Sequence, residues 1–75
     1  MIRKILCTFP QKVIQEPILY SISQMFEVVY NLKGGTFSEE LTMLSIELEG
    51  EPEEVEKVVK YLRDDKGVDI SELGD

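Results

Sequence analysis

A chain of 75 residues, 43% hydrophobic and 31% charged, is long enough for one small domain and too apolar to stay disordered. Its 15 acidic residues outnumber 8 basic ones, for a net charge of −7, and the basic residues do not cluster, which argues against a nucleic acid partner. One cysteine, Cys7, excludes an intrachain disulfide, a Cys-x-x-Cys metal loop or an iron–sulfur cluster built from this chain alone, and points to a reducing compartment such as the cytoplasm.

The first element is "IRKILCTF", rich in β-branched and aromatic residues, with Ile5, Cys7 and Phe9 on one face and Lys4, Leu6 and Thr8 on the other. Pro10 is expected to stop that strand. "QKVIQE" leads to Pro17, suited to the first position of a helix, and Ile18, Leu19, Ile22, Met25 and Phe26 form an apolar stripe at helical spacing. In "EVVYNLK", Val28, Tyr30 and Leu32 alternate with Val29, Asn31 and Lys33, and Gly34 with Gly35 predicts a turn. "TMLSIELEG" follows closely enough to pair as a hairpin, with Leu44, Ile46 and Leu48 on its apolar face.

Gly50 ends that strand. "EPEEVEKVVKYLRDDKG" then carries helix signals throughout: Pro52 at the first position, Glu53 and Glu54 in the first turn, a Val55, Val58, Val59, Leu62 stripe, and Gly67 at the end. Glu53 with Lys57 and Glu56 with Lys60 are spaced for i, i+4 ion pairs. "GVDIS" is a last short strand, and residues 71–75 read as a loose tail.

The order β, α, β, β, α, β predicts an α+β, ferredoxin-like fold, a four-stranded antiparallel sheet with two helices on one face, in a single domain over residues 1–75. The other face would carry Lys4, Leu6, Thr8, Val29, Asn31, Lys33, Met43, Ser45 and Glu47; Leu6, Val29 and Met43, on three strands, form an apolar group expected to meet another protein surface, with Asn31 among them. No apolar run approaches the ~20 residues that span a bilayer, and "MIRKILCTFPQ" lacks a long apolar stretch before a cleavage site, so direct membrane insertion is not expected.

"TFPQKVIQEPILYSISQMFEVVYNLKGG" resembles the NIL domain, the module at the C-terminus of ATPase subunits of bacterial methionine-type ABC importers. Thr8, Phe9 and Pro10, then Glu16, Pro17 and Ile18, then Phe26, Asn31 and Leu32 carry the resemblance, and "LSIELEG" with the acidic helix extends it over about the whole chain. The family is named for an Asn-Ile-Leu tripeptide; this chain has Asn-Leu-Lys, which keeps an aliphatic core position at Leu32 but sets a cation, Lys33, on the uncovered face.

The resemblance implies a ferredoxin-like fold, paired domains, and a free amino acid such as methionine bound between them to regulate transport. The resemblance carries Asn31 over as the ligand contact, and Leu32, Lys33, Gly34 and Met43 are the further candidate ligand-binding residues around it. Two readings of Asn31 stand side by side: an amide that bonds both a carboxylate and an ammonium group, or a cap for the strand end ahead of Gly34.

Catalysis is not expected. Histidine is absent, and no serine has a nucleophile context. "TFPQK" lacks the arginine of the phosphate-cradling loop that acylphosphatases of the same fold place after their first strand. Adjacent carboxylates such as Glu39 and Glu40 read as solubilising charge, and "ELEGEPEEVE" lacks calcium-loop spacing. No cofactor is expected, and no nucleotide-binding loop is present, so any ABC transporter ATPase partner lies outside this sequence. Two functions follow: an amino-acid-binding regulatory domain acting as a homodimer, or a ligand-free oligomerisation or protein-interaction module that pairs through Leu6, Val29 and Met43.

Overall fold

In the computed structural model, residues 1–10, 13, 17–38 and 40–73 are described. Alternation builds the central strand β1 (Ile2–Pro10): Ile5, Cys7 and Phe9 are fully buried, while Lys4 is exposed and Leu6 and Thr8 are half-covered. Helix α1 (Ile18–Met25) begins after Pro17 and buries Ile18 and Ile22. Strands β2 (Val28–Phe37) and β3 (Leu41–Gly50) form the hairpin. Helix α2 (Pro52–Lys60) continues into a wider π turn at Tyr61–Asp65, and β4 (Asp69–Glu72) completes the sheet.

All strand pairs are antiparallel, in the order β2-β3-β1-β4, so the element order and topology are those of a ferredoxin-like α+β fold. Both helices lie over one sheet face. Val55, Val58 and Val59 of α2 and Leu62 of the π turn press against Ile5, Cys7, Phe9, Leu44, Ile46 and Leu48, while Ile18 and Ile22 complete the core from α1. Acidic Glu53 and Glu54 in the first turn of α2, and Lys57 and Lys60 in its last, complement the helix dipole. Gly67, at φ 67°, closes the π turn, with the Val68 amide donating to the Leu62 carbonyl at 2.9 Å.

Pro10 does end β1, as its last paired residue, opposite Leu41. Other expected boundaries move. Gly34 and Gly35 are not a turn: they lie inside β2, opposite Ser45 and Leu44, beyond a bulge between Leu32 and Gly34. The chain reverses farther on, where Ser38 donates its backbone N–H to the Leu41 carbonyl and its Oγ accepts from the Leu41 N–H. Ser71 and Glu72 belong to β4 and are not part of a loose tail, and the Leu73 amide donates to the Lys4 carbonyl. Glu16, Glu39, Gly74 and Asp75 lie outside the described residues.

The two glycines have different duties. A Cβ at Gly35 would stand 2.7 Å from Leu44 Cδ2 and 3.1 Å from the Met43 carbonyl, whereas one at Gly34 meets nothing within 4 Å. Neither has a positive φ. Gly35→Ala is therefore expected to cost about 1–3 kcal/mol by crowding a buried leucine. Gly34→Ala should be neutral or stabilise by up to about 1 kcal/mol through reduced backbone freedom in the unfolded chain. Urea midpoints of the two variants check the contrast.

Ion pairing also departs from the spacing rule. Lys57 pairs with Glu54 at 2.8 Å, one turn back, and not with Glu53, while Glu56 is taken from Lys60 by Arg3. The Arg3 guanidinium bonds Glu72 on β4 as well, its Nε donating to Glu72 Oε1 at 2.7 Å, so one side chain ties β1 to α2 and to the edge strand. Hydrogen bonding from Arg3 holds the Glu72 carboxyl below the usual carboxylate range. A lowered folded pKa means the pairing stabilises the fold above the unfolded value and is lost as pH falls through the folded one. Solvent exposure limits each such pair to roughly 0.2–1 kcal/mol.

Candidate functional site

The uncovered sheet face is a set of cross-strand rows fixed by register. One row is Lys4, Glu47, Asn31; the next is Ser71, Leu6, Ser45, Gly34; then Asp69, Thr8, Met43, Thr36. Val29 lies in a separate row with Glu49 and Ile2, on the far side of the charged one. Leu6 and Met43 are thus diagonal neighbours, but Val29 does not join them, and the expected three-residue apolar patch is divided by the Lys4–Glu47–Asn31 row.

Asn31 stands mid-strand and exposed, and among the described residues no hydrogen bond engages its side chain. A cap for the strand end or the turn is therefore not its role, since the turn lies farther along. Lys33 is the extra residue of the bulge, and its ammonium comes 3.9 Å from Glu47 Oε2, on the same face. Gly34 follows opposite Ser45 and leaves open space beside the lysine. Met43 is 37% exposed two residues along β3 from Ser45, with the half-covered Leu6 diagonal to it.

Leu32 does not belong to this constellation. Its partner is Ile46, so it points to the helix side, yet it is 53% exposed because α1 covers only the beginning of the edge strand β2. It is neither a core residue nor a residue of the uncovered face. Phe37, farther along the same side, is 72% exposed for the same reason. Tyr20 likewise leaves its ring in solvent, whereas Tyr61 packs against Phe26 with centroids 5.6 Å apart.

Glu47 lies on the face that alternation assigns it, but it is not among the residues expected to bind the ligand. It sits between Lys4 and Asn31 and within reach of Lys33, so the face offers a carboxylate, an amide and two cations beside an apolar step at Leu6 and Met43. Such a strip can match both ends of a zwitterion. The register that brings Glu47 opposite Asn31 depends on where the hairpin turns, and Gly34–Gly35 disguised it. Among the described residues no group of three or more acidic or cysteine side chains could hold a metal ion, and no helix is long and apolar enough to cross a membrane.

Comparison with known proteins places these observations. The family model of the NIL domain matches residues 4–72. A solved structure, the crystal structure of the C-terminal domain of an ABC transporter/ATP-binding protein from Enterococcus faecalis, superposes with a TM-score of 0.78 at 21% identity, over 97% of this chain and 84% of that one. At that identity the likeness speaks for the fold. No curated protein matches the chain. With all but the ends of the sequence matched, the resemblance carried by Thr8–Pro10, Pro17–Ile18 and Asn31–Leu32 is one of descent: the chain belongs to the NIL domain family.

Proposed function

We propose that this domain is a non-catalytic regulatory module, acting at the cytoplasmic side of an ABC importer, that binds a free amino acid on its uncovered sheet face where a second copy of the domain closes over it. The observation that carries the reading is the row Lys4–Glu47–Asn31 with Lys33 beside it. The ligand carboxylate would take Lys33 and the Asn31 amide N–H, the ammonium would take Glu47 and the Asn31 carbonyl, and an apolar side chain would lie over Met43 and Leu6. The importer connection is supported by family membership and by the solved neighbour being a domain of an ABC transporter/ATP-binding protein.

Calorimetry against a panel of amino acids tests it. One or more with an apolar side chain should give saturable heat below millimolar concentration, and Asn31→Ala and Glu47→Gln should each weaken binding about 10-fold or more, as expected for lost hydrogen bonds to charged groups. No heat and no melting shift from any amino acid would sink the reading. The apolar step alone favours a second one, pairing without ligand: there, Leu6→Glu or Met43→Glu abolishes assembly while no amino acid binds.

A further inference from the structure

On the opposite side of a domain 18 Å thick in its thinnest dimension, the helix layer has a recognition surface of its own. An open cavity of about 310 Å3 lies between the end of α1 and the flank of α2. Its floor is apolar: Met25, 56% exposed, and the tilted ring pair of Phe26 and Tyr61. Its rim carries Lys57 and Lys60 before Tyr61 and Asp64 and Asp65 after it, with Lys66 Nζ 5.9 Å from the centre of the Tyr61 ring. Lys57 is engaged by Glu54, but neither Lys60 nor the two aspartates make an ion pair among the described residues.

That order is self-complementary. Turn a second copy by two-fold rotation about an axis through Tyr61, so that the two α2 helices run antiparallel: the basic half of each faces the acidic half of the other, across a shared centre of Met25, Phe26 and Tyr61. Lys60 and Asp64 stand about one turn apart where α2 runs into the π turn, close enough for both contacts to form at once. A two-fold contact needs this symmetry of pattern, in which residue i meets j and j meets i. We infer that the helix face is a second, isologous contact between copies of this chain, formed by Lys60 and Asp64 in reciprocal pairs around Tyr61. It is independent of the sheet-face reading. A contact confined to this cavity and its rim is small beside the roughly 800 Å2 per partner of a stable complex, so the pairing is weak.

Sedimentation equilibrium up to millimolar concentration tests it, with Met43→Glu in every chain so that the sheet face contributes nothing, and circular dichroism confirming the fold. The parent chain should dimerise, and Lys60→Glu and Asp64→Lys should each raise the dissociation constant about 10-fold or more. An equimolar mixture of those two variants should regain the parent's association, because in the mixed pair one contact is native and the other is reversed in sign. That rescue cannot come from contacts within one chain. A monomeric parent, single variants that associate like it, or a mixture no better than its components would each overturn the assignment, leaving the cavity to a small molecule or an unlike partner.

Discussion

Phe9→Ala is expected to remove a large share of the domain's stability. Phe9 is 0% exposed and the bulkiest of the fully buried side chains. It sits on an inner strand, β1, opposite buried Thr42 on β3 and in one core cluster with side chains of both helices. Removing a buried phenylalanine costs about 3–5 kcal/mol. At roughly 0.05–0.15 kcal/mol per residue, a chain of this size holds only about 4–11 kcal/mol in total. Urea titration followed by circular dichroism should show the midpoint moved to much lower denaturant; a loss below about 1 kcal/mol would mean the core is looser than its burial indicates.

Val58→Asp should be at least as damaging, and its damage should depend on pH. Val58 is 0% exposed, midway along the face by which α2 lies on the sheet, with apolar neighbours on all sides. A carboxylate there has no partner. Burial without a hydrogen bond costs roughly 2–7 kcal/mol for a polar group and more for a charge, so the introduced acid stays protonated in the fold and its folded pKa rises above the unfolded value. The folded state then binds more protons than the unfolded one, and stability falls as pH rises through the unfolded carboxylate pKa. Glu72 has the opposite sign, since Arg3 lowers its pKa, and favours the fold at higher pH. Thermal melts of the variant between pH 4 and 7 should descend with pH; a flat or rising profile would mean α2 had shifted to bring the carboxylate to water.

Element type and core were legible because each obeyed a single period. Ile5, Cys7 and Phe9 alternate, and Val55, Val58, Val59 and Leu62 recur at helical spacing; all seven are buried. Misreadings occur where one residue type answers to two demands. Gly34 and Gly35 have the chemistry of a turn, but here one follows a bulge and the other makes room for Leu44. Leu32 keeps the inward alternation of β2, yet burial depends on how far the helices reach sideways, which no local pattern encodes. Arg3 takes Glu56 from Lys60 across 53 positions of sequence, beyond any i, i+4 rule. In the candidate site, Asn31, Lys33, Met43 and Glu47 are all on the expected face, while the placing of Glu47 opposite Asn31 and beside Lys33 follows only from the register.

The lone thiol in this chain is a natural reporter of how often the domain opens. Cys7 is shut away on the middle strand, and burial pushes its pKa up to about 12, so almost none of it is thiolate at neutral pH and a labelling reagent finds nothing to attack. Modification therefore waits on excursions that part β1 from its neighbours. The speed of thiol capture in dilute buffer measures the population of that open form directly, and a bound effector or a docked second copy would register as a slower clock.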